Sequence, residues 1–195
     1  MAFYRRNLPH WHPPGRGLFI TWRLHFSIEK LHYLARPEIA EIVIRTLHYH
    51  EKELHSYELI TWVVMSNHVH MLVNPLTDPR VFMKSLKNFS ARNANLCLDR
   101  MGKAFWQREY FDHWMRTGSE ALETIDYIEL NPVHAGIVRN REEYLWSSAR
   151  QGSSGLQTGA PLSGPAASDL RSGERSYRRA ELPTDAYSPL PMRIP

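Results

Sequence analysis

Hydrophobic and polar positions alternate along residues 17–25, in the stretch GLFITWRLH. A period of two predicts a β-strand with Phe19, Thr21 and Arg23 on one face. The opposite face then carries Ile20, Trp22 and Leu24. Because both faces are partly apolar, we expect this strand to lie in the interior of a sheet.

A helical spacing of apolar residues follows in residues 38–55 and predicts an α-helix across one face of that sheet. Pro37 precedes it, and proline suits the first turn of a helix. The apolar positions of this helix are Ile39, Ile42, Val43, Leu47 and Leu54.

Two adjacent strands are predicted next, from the stretches YELITWVVMSN and HVHMLVNPL. A tight turn at Ser66 and Asn67 joins them. This turn places His68 at the start of the second strand.

Residues 79–100 predict a second long helix, with Phe82, Leu86 and Phe89 facing inward. The stretch AFWQREYFDHWMRT alternates aromatic and polar residues, which is typical of a fourth strand or an extended loop.

A third helix should begin near Thr117, whose spacing to Glu120 resembles a capping box. It should stop at Asn131 and Pro132, because proline disfavours helix at the residue before it. The order of elements predicts an α+β domain, in which helices pack against a single antiparallel sheet.

From Gln151 onward the composition changes, since Gly, Pro and Ser dominate and no apolar periodicity remains. We therefore expect one domain in residues 1–150 and a flexible, disordered tail in residues 151–195. The tail carries five Arg and four Asp or Glu, which leaves 19 basic and 16 acidic residues in the first 150. The domain is thus only mildly basic, and any affinity for DNA would have to come from a local patch.

The chain has 195 residues, a hydrophobic content of 43% and a net charge of +4. Cys97 is the only cysteine, which excludes disulfides and a cysteine-based zinc cluster. No stretch approaches the ~20 apolar residues of a membrane span, and the N-terminus lacks the core of a signal peptide. We expect a cytoplasmic protein that does not enter a membrane.

His68 and His70 are two residues apart on a predicted strand, so both imidazoles project from the same face. Two imidazoles on one rigid surface provide half of a metal site. In a chain with 11 histidines such a pair can also arise by coincidence.

Tyr127 lies away from the apolar stripe of its own helix and should not be a core tyrosine. Asn131, four residues later, lies on the same side of the helix one turn further on. A phenol and an amide oxygen can therefore face a common site, although an exposed tyrosine and a helix-ending asparagine are also ordinary surface features. The predicted stripe consists of Ala121, Leu122, Ile125 and Ile128.

Five motifs occur in the chain in a characteristic order: RRNLPHWHPPG, VVMSNHVHMLV, FWQREYFDHWMR, YIELNPVHAGIV and YLWSSAR. Together they resemble the REP-associated tyrosine transposases, a branch of the IS200-like Y1 transposases in the HUH endonuclease superfamily. The resemblance covers about residues 4–150. It implies a ferredoxin-like or RRM-like sheet of the HUH type.

The resemblance also implies roles for particular residues. His68 and His70 correspond to the metal-binding histidines, and Tyr127 to the single catalytic tyrosine. Asn131 stands where the family has a third, polar ligand, which in many relatives is glutamine. Ser66 replaces the proline usual in this motif, which removes no chemical group.

The activity implied is cleavage and rejoining of single-stranded DNA through a 5′-phosphotyrosine intermediate. Imidazole and amide ligands suit Mg²⁺ or Mn²⁺ with positions left for phosphate oxygens. The family further implies hairpins of repetitive extragenic palindromes (REP) as DNA partners.

Aromatic and basic side chains are candidates for contacts with such DNA, by stacking on bases or by binding phosphates. The stacking candidates are Trp11, Trp106, Phe111 and Trp114. The basic candidates are Arg5, Arg6, Lys84, Lys87, Arg92 and Arg108.

Two other functions compete with the transposase. One is a non-catalytic protein, derived from a transposase, that binds palindromic repeats. The other is a metal hydrolase in which the histidine pair activates water and Tyr127 takes no part, although such sites usually need further histidine or carboxylate ligands. The sequence leaves open whether the protein is a monomer or a homodimer.

Overall fold

The structure is a computed structural model and describes residues 16–153, of which residues 151–153 are described for the backbone alone. Within this part of the chain, four strands and four α-helices form the fold. Their bounds are β1 Leu18–Arg23, α1 Pro37–Lys52, β2 Tyr57–Val64, β3 His68–Pro75, α2 Pro79–Cys97, β4 Phe111–Trp114, α3 Gly118–His134 and α4 Ser148–Ser153.

The four strands make one sheet in the order β2-β3-β1-β4, and every neighbouring pair is antiparallel. α1 connects β1 to β2 and α2 connects β3 to β4, which is the split β-α-β arrangement of ferredoxin-like folds. The predicted α+β class and single antiparallel sheet are confirmed. The interior position expected for β1 is confirmed as well, since it lies between β3 and β4.

α1 and α2 cover one face of the sheet, and the larger hydrophobic core lies between this face and the two helices. The alternation of β1 decides which side chains enter it, so that Ile20 and Trp22 are buried there. β3 contributes its odd-numbered residues Val69, Met71 and Val73 to this core. Side chains alternate along a strand, so the even-numbered His68 and His70 must point to the opposite face.

The opposite face carries a second, smaller core that α3 helps to cover. Ile128 is fully buried in it, and Ala121 and Ile125 of the same helix pack against it. The sheet contributes Val63, Met65 and Leu72. α3 is thus the helix that lies on the histidine face of the sheet.

The predicted hairpin turn is confirmed, because the Met65 amide donates to the His68 carbonyl at 2.8 Å across Ser66 and Asn67. The turn is held from both sides. The Leu24 amide donates to the Asn67 carbonyl at 2.9 Å, and the Leu34 amide to the Ser66 carbonyl at 3.1 Å.

The end of α1 differs from the prediction. The helix ends at Lys52 instead of His55, and Leu54 is exposed rather than inward-facing. His55 has a φ of 46°, a left-handed conformation that cannot continue a helix.

α2 has the predicted start, but it ends at Cys97 and one of its predicted core residues is misplaced. Phe82 and Leu86 are buried, whereas Phe89 is 42% exposed. At ~100° per residue, Phe89 lies ~80° from the centre of the buried face. It stacks on Tyr49 of α1, with 6.3 Å between ring centroids.

α3 begins as predicted, because the Thr117 side chain accepts a hydrogen bond from the Glu120 amide at 3.1 Å. The predicted stop at Pro132 is wrong, since the helix continues to His134. Its end follows from Gly136, which has a φ of 70°. The Gly136 and Ile137 amides donate back to the Val133 and Pro132 carbonyls, which is the pairing of a Schellman motif.

Leu122 of α3 was predicted to face the core and is instead 66% exposed. At ~100° per residue it lies ~90° from the centre of the stripe formed by Ala121, Ile125 and Ile128. The margin of the stripe is solvated because the helix covers only a narrow part of the sheet.

The segment after α3 returns to the edge strand β2 and is hydrogen-bonded to it. The Val64 amide donates to the Trp146 carbonyl at 2.8 Å, and the buried Tyr144 hydroxyl donates to the Val64 carbonyl at 2.9 Å. α4 then runs to Ser153, past the boundary expected at residue 150. The remainder of the expected tail, residues 154–195, lies outside the described residues.

No helix within residues 16–153 is long and apolar enough to cross a membrane.

Candidate active site

An imidazole pair lies at the centre of the α3-covered face. His68 and His70 project from β3 with 4.7 Å between their ring centroids. His70 is only 1% exposed, and the Phe19 ring of β1 stacks on it at 5.6 Å between centroids. The local alternation of a strand is enough to bring both rings to one surface.

Each imidazole is oriented through its Nδ1 atom. His70 Nδ1 is hydrogen-bonded to Thr21 Oγ1 at 2.7 Å, and Thr21 lies directly opposite it in the β1–β3 register. His68 Nδ1 donates to Asn67 Oδ1 at 2.6 Å. Because an amide oxygen only accepts, His68 keeps a lone pair on Nε2, and His70 does so in the tautomer whose Nδ1 donates to the Thr21 hydroxyl. Nε2 is an atom by which histidines bind metal ions.

Burial keeps both imidazoles neutral. It lowers the pKa of His68 to about 3, and the nearby charge of Arg23 acts in the same direction. Burial also holds the pKa of His70 well below its ordinary value, with smaller contributions from His68 and Arg23. Neutral imidazoles are the form that coordinates a cation.

Tyr127 projects from α3 toward this pair. Its ring contacts His70 with 5.4 Å between centroids, and Phe19 with 6.0 Å. The side chain is 39% exposed, so the phenol lies against the imidazoles while staying open to a substrate. Burial raises the pKa of Tyr127, whereas a hydrogen bond from Asn131 and the charge of Arg23 lower it.

Asn131 lies one helical turn beyond Tyr127, and its amide acts to lower the pKa of the Tyr127 phenol. Asn131 is partly buried and lies on the same side of α3 as Tyr127. The structure therefore brings together His68, His70 and Tyr127, and it places Asn131 next to Tyr127 along the helix.

The donor set fits a divalent cation. His70 Nε2 is buried and has no hydrogen-bond partner among the described residues, although a buried polar atom ordinarily requires one. A cation bound there would satisfy it. Within residues 16–153, no third histidine, cysteine or carboxylate joins the pair, so the further protein ligand would have to be an uncharged oxygen such as that of Asn131.

The basic residues predicted on α2 lie in the other layer of the molecule. Lys84 and Arg92 are exposed on that helix, which packs against the opposite face of the sheet. Lys87 donates to the Gln107 and Arg108 carbonyls at 2.7 and 2.8 Å, and Arg108 itself is exposed.

The aromatic residues predicted to stack on DNA bases differ in their exposure. Trp106 is a core residue, 7% exposed, whose indole donates to Ser90 Oγ at 3.0 Å, so it cannot offer a ring to DNA. Trp114 packs against the same core. Phe111 is 42% exposed on β4 and touches Phe19 edge-on, beside the imidazole pair. Arg5, Arg6 and Trp11 lie outside the described residues.

Sequence reasoning missed three residues that surround the pair: Thr21, Asn67 and Arg23. Thr21 and Arg23 were assigned to the correct face of β1, but their partners follow from the register between strands. Asn67 was seen only as a turn residue, although a carboxamide next to His68 is a signal for an orienting hydrogen bond.

Ser66 has a role that its place in the turn did not reveal. Its hydroxyl is hydrogen-bonded to His32 Nδ1 at 3.0 Å, which ties the turn to the β1–α1 connection.

Comparison with known proteins agrees with this architecture. A sequence profile of the family described as "Transposase IS200 like" matches residues 28–131, which contain His68, His70, Tyr127 and Asn131. No curated protein sequence matches the chain.

Two solved structures are similar. One is a REP-associated tyrosine transposase bound to a REP hairpin, with a TM-score of 0.58 and 20% identity over 79% of this chain and 86% of that one. The other is a Deinococcus radiodurans protein described as a transposase, also 20% identical, over 66% of this chain and 96% of that one, with a TM-score of 0.41. The first supports the fold, and the second score is too low to add to it.

The fold and the family match together define a DNA-processing protein. The chain belongs to the IS200-like transposase family. Members of this family bind and cleave DNA and generally use a divalent metal ion.

Proposed function

We propose that this chain is a metal-dependent endonuclease and strand transferase of single-stranded DNA, with Tyr127 as its nucleophile. The observation that carries the proposal is the contact between a half-exposed phenol and a neutral imidazole pair, of which His70 is buried and His68 partly buried, at 5.4 Å between the rings of Tyr127 and His70. The phenol therefore lies against the imidazole pair that we propose as the metal-binding group.

The chemistry is a transesterification at one phosphorus atom. The Tyr127 hydroxyl loses its proton and its oxygen forms a bond to phosphorus, while the bond from phosphorus to the 3′ oxygen breaks and that oxygen takes up a proton. The product is a 5′-phosphotyrosine and a free 3′-hydroxyl. Because one phosphoester replaces another, a 3′-hydroxyl can reverse the step and join strands without ATP.

His68, His70 and Asn131 would hold Mg²⁺ or Mn²⁺, and the ion would supply the positive charge that polarises the phosphate. The chain's own residues prepare this site. Thr21 and Asn67 fix the imidazoles, and burial keeps these rings neutral.

The hydrogen bond from Asn131 to Tyr127 lowers the pKa of a phenol whose burial would otherwise disfavour ionisation. Asn131 would thus serve both the ion and the nucleophile.

The proposed substrate is a hairpin with a single-stranded flank, of the REP type. A similar fold has been solved with a REP hairpin bound, and bases flanking a cut must leave the stack to reach the site. Phe111 is suited to stack on such a base, because its exposed ring continues the aromatic surface of Phe19 and Tyr127.

A covalent-adduct assay tests the function. Labelled single strands that carry a hairpin should form a protein–DNA adduct in Mn²⁺ that survives denaturation. Tyr127→Phe and chelation should each abolish the adduct. Tyr49→Phe, which changes a similarly exposed tyrosine on α1, should leave it intact. Cleavage without an adduct would indicate a metal hydrolase, and binding without cleavage a non-catalytic DNA-binding protein.

We also propose that the catalytic unit ends with α4. A chain truncated after Ser153 should form the adduct at the rate of the full chain and bind the same DNA equally well. A loss of either property would assign residues 154–195 to the DNA site.

A further inference from the structure

Arg23 lies at the end of β1, directly opposite His68 in the antiparallel register. It shares the sheet face of Thr21 and the imidazole pair, because residues of one parity on β1 point the same way. The side chain is 33% exposed, and its guanidinium lies 3.2 Å from the Glu29 carboxylate. A half-buried cation is therefore held beside His68, on the surface that Tyr127 faces.

The charge of Arg23 reaches every reactive side chain of the site. It acts to lower the pKa values of His68, His70 and Tyr127 alike. Among the described residues, no other arginine or lysine is found among the charges acting on these three. The register places Arg23 opposite His68 on the imidazole face, and its charge acts on the phenol as well as on the imidazoles.

A phosphodiester that is attacked by a phenol gains negative charge on its non-bridging oxygens as the fifth bond to phosphorus forms. The proposed ion would balance part of this charge, whereas the imidazoles, the phenol and the Asn131 amide bring no positive charge of their own. A guanidinium offers two parallel N–H donors that match two oxygens of a phosphate, and preorganised donors of this kind act most strongly on charge that develops in the transition state.

We propose that Arg23 is a further catalytic residue, which donates hydrogen bonds to a non-bridging oxygen of the phosphate attacked by Tyr127. This inference rests on the proposed function. Glu29 is then a positioning residue, because its carboxylate holds the guanidinium at the edge of the site.

The first test measures the reaction. Arg23→Gln should slow adduct formation by about 10²- to 10³-fold, as loss of one transition-state donor does. The Mn²⁺ affinity of the DNA-free protein should not fall, since Arg23 is not a metal ligand. Arg23→Lys keeps the charge without the paired donors and should recover only part of the rate. Arg45→Gln, at an exposed arginine on α1 paired with Glu41, is the matched control and should react normally.

The second test measures binding without chemistry. The cut site is first mapped with the active protein, and single methylphosphonates, which replace one charged oxygen by a methyl group, are then placed at each position around it. In the Tyr127→Phe protein, the methylphosphonate at the cut site should weaken binding by about tenfold. Adding Arg23→Gln should remove that penalty at the cut site alone.

The outcomes separate the two levels of proposal. An adduct formed at a normal rate by Arg23→Gln, or a penalty equal at all positions with and without Arg23, overturns this inference alone. If Arg23 has only a structural role, Arg23→Gln and Glu29→Gln should lose equal thermal stability, and the binding penalty should not depend on where the methylphosphonate stands. That result also overturns the inference. Failure of the unsubstituted protein to form any adduct overturns the proposed function and this inference together.

Discussion

At the scale of single residues, the orientation of the imidazole pair depends on neighbouring polar side chains. Thr21 and Asn67 each bind one Nδ1 atom and so decide which nitrogen each imidazole presents. Such partners around a metal site typically contribute 10- to 100-fold, or about 1.4–2.7 kcal/mol, to affinity. Thr21 occupies Nδ1 of His70, so Nε2 is the nitrogen that this ring would offer to the proposed ion.

Thr21→Val should therefore weaken Mn²⁺ binding by about 10- to 100-fold while the fold remains, since the two side chains are nearly the same size. Calorimetric titration of the DNA-free protein with Mn²⁺ measures this. Thr46→Val is the matched control, because that buried threonine donates only to the Ile42 carbonyl within α1. Unchanged Mn²⁺ affinity in Thr21→Val would exclude an orienting role for this hydroxyl.

Asn131 is proposed to act on both the ion and the phenol, and the two roles can be separated. Asn131→Ala should slow adduct formation by about tenfold or more, because it removes the hydrogen bond that favours ionisation of Tyr127. If Asn131 is also a ligand, the same substitution should weaken Mn²⁺ binding in a Tyr127→Phe protein. Normal Mn²⁺ affinity there would restrict Asn131 to its contact with the phenol.

At the scale of elements, α3 is the helix that brings Tyr127 to the histidine face of the sheet. Its start is local, through the Thr117 cap, and so could be predicted. Its end is set by Gly136 rather than by Pro132, because a proline late in a helix removes one hydrogen bond without preventing the helix from continuing to His134. Asn131 therefore keeps helical geometry one turn beyond Tyr127.

Gly136→Ala should lower the free energy of unfolding by about 1 kcal/mol, because its φ of 70° is costly for any residue with a Cβ. A Cβ there would meet nothing within 4 Å, so the effect is purely conformational. Gly118→Ala, at the other end of α3 and equally uncrowded, has no positive φ and should be neutral or slightly stabilising. Denaturant unfolding of the two variants compares them, and equal effects would contradict the assignment.

At the scale of the whole molecule, the two faces of the sheet differ: one carries the larger hydrophobic core, and the other carries the histidine pair. α1 and α2 bury the larger core on one side, while α3 covers only part of the other and leaves Phe19, Tyr127 and Phe111 accessible beside the histidines. Folding holds the imidazoles in their neutral form, so the free energy of unfolding depends on pH.

The metal-free protein should lose stability as the pH falls below about 6.5. The unfolded chain binds a proton at His68 near its ordinary pKa of 6.5, whereas the folded chain resists protonation down to about 3. The unfolded state thus binds more protons in this window, so stability rises with pH, by at most about 1.4 kcal/mol per pH unit for each such histidine. His70 and His50 act in the same direction.

Denaturant unfolding in EDTA at pH 5 and pH 7 measures this dependence. A His68→Asn/His70→Asn protein should show a smaller difference between the two pH values. The same difference in both proteins would show that the imidazole pair is not the source.

Much of the architecture followed from local patterns. Alternation predicted β1 and the faces of its side chains, helical spacing predicted three helices, and the spacing within the histidine pair placed both rings on one surface. The residues wrongly predicted to face a core, Leu54, Phe89 and Leu122, lie beyond the end of a helix or at the margin of its apolar face. Whether such a residue is covered depends on which neighbour lies there, and the periodicity of its own element does not contain that information.

The sequence by itself determined the class of fold, the surface that carries the imidazoles and the separation of Tyr127 from its helix's apolar stripe, because these depend on the fixed geometry of one strand or one helix. Only the tertiary structure decided that Thr21 meets His70, that Arg23 lies opposite His68 and that Tyr127 reaches the pair. Those contacts depend on the register between strands that are distant in the chain and on how α3 packs against the sheet. Burial of the two hydrophobic cores determines both the register and the packing, and the geometry of a single element does not.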